Sequence, residues 1–274
     1  MSKERRPEQP RRTEARNEKA RGLETFTTRQ ILALMNDEDA SVPRAVRAAL
    51  PTIEKAVDAI VGAIADGGHV IYVGAGTSGR LGVLDASEAP PTFGVEPELF
   101  HGIIAGGDTA LRSSIEDAED DETAGRNDVA QVVRKGDVIV GISASGGAPY
   151  VIGGLQAGKN VAAATVGVTC NADSTLTRVA DIAIVVDVGP EILAGSSRLK
   201  AGTATKLVLN MLSTAAMIRS GRTRGDLMVD LRPTNAKLKE RAVRMVQEET
   251  GIGEDEARAR LEAAQWNVRK ALES

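Results

Sequence analysis

The groups in this 274-residue chain best suited to chemistry are carboxylates, hydroxyls and backbone amides. Two histidines, His69 and His101, and a single cysteine, Cys170, exclude a disulfide scaffold and a Cys- or His-rich metal centre. Three turns concentrate the hydroxyls: Gly74-Ala-Gly-Thr-Ser-Gly-Arg-Leu81, Ser143-Ala-Ser-Gly-Gly147 and Gly195-Ser-Ser-Arg-Leu-Lys-Ala-Gly-Thr203. Glycines let the backbone approach an anion, amides at a helix start donate to it, and hydroxyls add donors. The candidate phosphate ligands are Gly76, Thr77 and Ser78 in the first turn, Ser143, Ser145 and Gly146 in the second, and Ser196, Ser197 and Lys200 in the third. Hydroxyl-rich turns at the ends of two strands suit a sugar phosphate. The first turn also fits Gly-x-Gly-x-x-Gly at Gly74, Gly76 and Gly79, but the stretch about 20 residues on has no acid clearly closing a second strand, which speaks against a dinucleotide.

Two acids stand out by position. Leu81, Leu84 and Glu88 fall at i, i+3 and i+7 of a helix after the first turn, so Glu88 is expected to end that helix's apolar stripe before Pro90-Pro91 stops it. In a helix over 108–119, Leu111 and Glu119 lie within about 40° of Ile115, which turns Glu119 inward among four neighbouring acids. A carboxylate on an apolar face is costly unless paired or functional, and partial burial would raise its pKa toward the range of general acid–base work. Glu88 and Glu119 are thus the candidate catalytic pair.

Short apolar runs must carry these groups. Residues 69–73, 99–104, 138–142, 161–168 and 182–188 read as strands, and their near-continuous apolarity predicts a parallel sheet covered on both faces. Helices are expected near 79–87, 108–119, 149–157 and 200–219, giving an α/β architecture whose ligands bind beyond the carboxyl ends of the strands. The expected divisions are a disordered basic tail over 1–22, N-terminal helices over 23–66, the sheet domain over 67–224 and a small C-terminal helical module over 225–274. The last stretch looks like a ubiquitin-associated-type three-helix unit with Trp266 in its core.

The tail holds eight Lys/Arg against four Glu and leaves 26 against 34 for the rest, so the body is acidic. With only 2% aromatics the chain lacks stacking platforms, and no nucleic-acid partner is expected. No apolar run approaches the roughly 20 residues of a membrane helix, and the N-terminus lacks the apolar core of a secretory signal, so no membrane partner is expected and the cytoplasm is the expected compartment.

The string Gly74-Ala-Gly-Thr-Ser-Gly-Arg-Leu-Gly-Val-Leu-Asp-Ala-Ser-Glu-Ala-Pro-Pro91 resembles the signature of the N-acetylmuramic acid 6-phosphate etherases. Asn36-Asp-Glu-Asp39, Ile104-Ala-Gly-Gly107, Ala118-Glu-Asp120, Gly195–Thr203, Lys206–Thr214 and Leu227-Met-Val-Asp230 match in the family's order, over residues 13–274. The resemblance implies a sugar-isomerase (SIS) fold, a homodimer, no metal or organic cofactor, and cleavage of the lactyl ether of N-acetylmuramic acid 6-phosphate to N-acetylglucosamine 6-phosphate and D-lactate. Its catalytic acids fall on Glu88, in Asp-Ala-Ser-Glu, and Glu119, in Ala-Glu-Asp. One departure stands out: where the family usually reads Ser-Gly-Arg-Thr-Pro-Tyr, this chain has Ser145-Gly-Gly-Ala-Pro-Tyr150 and so lacks a guanidinium and a hydroxyl. Aldose–ketose isomerisation and non-catalytic sugar-phosphate sensing are the rival readings.

Overall fold

Alternation along the apolar runs decides the layers. The computed structural model describes residues 12–161, 163–231, 233 and 235–273. Five strands, β1 (Val70–Gly74), β2 (Phe100–Ile104), β3 (Val138–Ile142), β4 (Ala164–Thr169) and β5 (Ile182–Val185), form one parallel sheet in the order β2-β1-β3-β4-β5. β1 and β3 are buried throughout. Val70 and Tyr72 pack on one face with α2 (Val42–Ala65), α3 (Gly76–Phe93) and α8 (Lys200–Arg219), while Ile71 and Val73 pack on the other with α5 (Glu122–Ala130), α6 (Pro149–Asn160) and α7 (Thr175–Val179). This two-residue period is what a sheet sandwiched between helices requires.

The remaining helices are α1 (Thr28–Asp39), α4 (Thr109–Arg112), α9 (Ala236–Thr250), α10 (Glu254–Ala263) and α11 (Val268–Glu273). α1 runs through Asn36-Asp-Glu-Asp39 from a capping box at Thr27 and Gln30. α9, α10 and α11 share a small core of their own with Val229 and Leu231. Trp266 is half-buried beside that core with a left-handed φ of 62°, and the Lys239 ammonium sits 4.6 Å from its ring centroid.

Three expectations need correction. The helix expected over 108–119 ends at Arg112, because Arg80 Nε and Nη2 donate to the carbonyls of Leu111 and Ser113 that further helical turns would use. The chain then reverses through Asp117, at φ 61°, into a single 3-10 turn over Ala118–Asp120. Pro90-Pro91 sits inside the last turns of α3, which Gly94 ends at φ 64° in the left-handed region. Finally, 1–22 is not a free tail over its described part. Residues 12–20 lie against the body in two 3-10 turns, Arg12–Glu14 and Glu18–Ala20, with Thr13 buried. Residues 1–11 lie outside the described residues. Polar anchors order this strap, and a reading of hydrophobicity has no means to see them.

Candidate functional site

The strand order reverses at β1: its crossover through α3 leads to β2 on one side, while β3 to β5 build outward on the other. Ligands of open parallel sheets bind beyond the carboxyl ends at that point. A cavity of about 280 Å³ lies there, lined by Ala75–Ser78 after β1 and Ile142–Ser145 after β3. Gly76, Thr77 and Ser78 form the first turn of α3, whose N-cap Ala75 makes no side-chain cap. Their amides are free to face an anion, with the helix dipole in its favour. Close approach of Gly79 sets this turn: a Cβ there would stand 2.7 Å from the Gly74 carbonyl oxygen and 2.6 Å from Ile104. Ser143 and Ser145 bring their hydroxyls within 3.4 Å of each other on the opposite wall.

Ser197 and Glu119 also line the cavity, so seven of the expected residues meet: Gly76, Thr77, Ser78, Ser143, Ser145, Ser197 and Glu119. Gly146 does not line it. It holds the second turn from behind at φ 68°, donating its N–H to Ser143 Oγ at 3.1 Å and leaving no room for a Cβ against Ser174. Ser196 is also off the cavity.

The two acids are separated. Glu119 reaches the cavity from the 3-10 turn and is exposed, which corrects the expectation of an inward, half-buried helical carboxylate. Glu88 lies on the outer face of α3, with Leu84 beside it 52% exposed. The inward acid of α3 is Asp85, buried and accepting hydrogen bonds from Tyr72 Oη at 2.9 Å, Asn210 Nδ2 at 2.7 Å and Ser213 Oγ at 3.2 Å. Burial, reinforced by the Asp85 charge, pushes the Tyr72 phenol far above its usual range, so it remains a donor. The inward face of α3 runs through Asp85, Ala86 and Ala89, because the network satisfies Asp85 and an apolar count misses that.

The third turn does not present a helix start to a ligand. The buried carboxylate of Glu191 accepts from the backbone N–H of Lys200 at 3.1 Å and of Ala201 at 2.9 Å, filling the N-terminus of α8 itself. Lys200, 3% exposed, points away from the cavity, and its Nζ donates to Glu38 Oε2 at 2.7 Å. Glu38 also accepts from Lys19 Nζ at 2.8 Å and Asn17 Nδ2 at 2.9 Å. Burial pushes the Glu38 carboxyl up, but hydrogen bonds from Lys19 and Lys200 outweigh it and hold the pKa at about 2. Lys200 is therefore a buried structural cation in this arrangement rather than a cavity ligand.

Two lining residues escaped the sequence reading, Thr13 and Glu14 of the strap. Arg12 N–H donates to Asn171 Oδ1 at 2.8 Å, Asn171 Nδ2 donates to Thr13 Oγ1 at 3.4 Å, and Gly195 N–H donates to the Thr13 carbonyl at 3.1 Å. Asn171 Nδ2 also reaches the Ala144 carbonyl at 2.9 Å, so one buried amide ties the strap to the second turn.

Comparison with known proteins agrees with this architecture. Residues 52–159 match the glucokinase regulatory protein N-terminal SIS domain and residues 115–215 match the SIS domain. A phosphoheptose isomerase from Neisseria gonorrhoeae superposes with a TM-score of 0.53 at 19% identity, covering 69% of this chain and 98% of that one. Its counterpart from Francisella tularensis gives 0.52 at 17%, covering 70% and 98%. The fold is thus that of a SIS-domain protein. Over 95% of its length the chain is 49% identical to N-acetylmuramic acid 6-phosphate etherase 2 of Vibrio parahaemolyticus and 51% identical to the N-acetylmuramic acid 6-phosphate etherase of Jannaschia, spanning 87% and 83% of those proteins. At that identity and coverage, the chain belongs to the N-acetylmuramic acid 6-phosphate etherase family.

Proposed function

We propose that this protein cleaves the D-lactyl ether of N-acetylmuramic acid 6-phosphate, as a carbon–oxygen lyase of amino sugar recycling, in the cytoplasm. One observation carries the site assignment: the cavity at the strand-order reversal combines an uncapped helix start, facing serines and Glu119. The phosphate sits on the amides of Gly76–Ser78 with the hydroxyls of Thr77, Ser78, Ser143 and Ser145 around it. Opening the sugar exposes a C1 aldehyde that acidifies the C2 proton. Glu119 removes that proton, the C3–O bond breaks, and a second carboxylic acid protonates the departing lactate oxygen. Water then adds at C3 of the unsaturated aldehyde, and the proton returned to C2 gives N-acetylglucosamine 6-phosphate.

Glu88 is the second acid, supplied by another copy of the chain. Within one subunit it stands twelve residues along α3 from Gly76, or about 18 Å by helical rise, too far to share a sugar with the first turn. Its neighbour Leu84, one turn earlier, is an exposed apolar side chain of the kind an interface covers. The assembly is therefore a homodimer with shared sites. Purified protein is expected to release D-lactate from the substrate, and Glu88→Ala and Glu119→Ala to abolish release while remaining folded. A folded wild-type protein that binds the sugar phosphate without releasing lactate would replace this reading with sensing.

A further inference from the structure

The cavity holds only two ionisable side chains among its described lining residues, Glu119 and Glu14. Glu14 has no hydrogen-bond or ion-pair partner among the described residues, although cations of the same strap are engaged elsewhere, Lys19 with Glu38 and Arg12 with Asp187. Its backbone is nonetheless fixed. Thr13, immediately before it, is 2% exposed and bonded through both its carbonyl and its hydroxyl, and Asn17 donates to the Pro190 carbonyl at 3.3 Å and to Glu38.

The opposing loop accommodates this carboxylate. Gly195 has φ 79°, and a Cβ there would stand 3.1 Å from Glu14 Oε2. A side chain at 195 would be strained by the backbone and would press on the carboxylate. Glu14 thus stands exposed at the cavity, without a partner among the described residues and on a backbone held by buried bonds, where its carboxylate can accept from a ligand.

We infer that Glu14 is a substrate-binding residue that accepts hydrogen bonds from the uncharged part of the sugar, its hydroxyl groups or 2-acetamido N–H, and so selects for the amino sugar rather than for the phosphate. The chemistry divides the site. A phosphate takes the amides and hydroxyls of the α3 turn, and like charge keeps it from Glu14. The neutral donors of an acetamido sugar are what a carboxylate in this position can pair with, and charge-assisted bonds of that kind are the stronger ones. The assignment rests on reading the cavity as a sugar-phosphate site, though not on the lyase step.

Calorimetric titration of wild type and Glu14→Gln with N-acetylglucosamine 6-phosphate and, separately, with inorganic phosphate tests it. Weakening of the sugar phosphate by about tenfold, with inorganic phosphate unchanged and the same thermal midpoint, is the expected result. Gly195→Ala, which presses on the carboxylate without removing it, is expected to give a smaller loss in the same direction. Sugar-phosphate affinity within twofold of wild type in Glu14→Gln, or equal weakening of both ligands, would overturn the inference. Wild-type protein that binds neither ligand would overturn it together with the site assignment. Wild-type protein that binds the sugar phosphate but releases no lactate removes only the lyase reading.

Discussion

Glu88 and Glu119 do not face a common cavity within one subunit: Glu119 lines the pocket beside Gly76, while Glu88 projects from the outer face of α3 next to Leu84. The proposed reaction, which uses both acids, draws them from two copies of the chain. Mixing Glu88→Gln with Glu119→Gln subunits tests this without any structure of the dimer. With free exchange, half of the dimers are mixed, and each mixed dimer carries one site with both acids intact. Lactate release is therefore expected to recover to about a quarter of wild type. Mixtures as inactive as either parent would place both acids in the same subunit or remove one from the reaction.

Ala148 lines the cavity and occupies the N-cap of α6 with no side-chain cap, where the family's usual hydroxyl is missing. Ala148→Thr is expected to act twice. A capping hydroxyl should add about 1 kcal/mol of stability, read as a higher urea midpoint at unchanged slope. A further donor at the phosphate should lower KM, and with Gly147→Arg, at a residue whose φ is not positive, by roughly fivefold. A double variant with unchanged KM would show that the phosphate lies elsewhere.

The layers and most of the cavity were legible because they rest on local signals. Apolar runs such as Val138–Ile142 announce buried strands, and hydroxyl-rich turns after β1 and β3 fall where a parallel sheet binds ligands. The etherase signature identified the family through extended strings, and its relatives bear it out. What stayed illegible depends on distant polar partners. Asp85 took the inner face of α3 because Asn210 and Ser213 satisfy it from α8. Arg80 ended the helix before Ile115 by taking two of its carbonyls. Asn171 and Glu38 drew in a strap that has too little apolar surface to order itself.

Lys200 separates a structural cation from a ligand. Its side chain is almost completely buried against Glu38, so Lys200→Ala leaves a cavity and strips one of two cations from a buried carboxylate. A loss of about 3 kcal/mol or more in unfolding free energy is expected, measured by urea titration. The KM of the protein that remains folded should stay within about twofold of wild type, since the ammonium does not face the cavity. A large rise in KM at undiminished stability would return Lys200 to the ligands.

The same cluster sets an acid limit on stability. The Glu38 carboxyl is held at about 2 against an ordinary value of 4.5, so the folded state binds its proton less readily than the unfolded chain does. With a depressed pKa the contribution is fully present above pH 4.5 and fades as pH falls toward 2, because protonation of Glu38 then breaks its bonds to Lys19 and Lys200. The full contribution is of order 3 kcal/mol. Glu38→Gln removes the titration while keeping the shape of the side chain. Unfolding free energies of wild type and variant should therefore differ most near neutrality and converge as the pH is lowered through this window. Parallel curves from pH 7 to pH 3 would mean that the carboxylate does not anchor the strap through charge, and that residues 12–20 are held by the bonds of Thr13 to Asn171 and Gly195, of Asn17 to Pro190 and of Arg12 to Asp187.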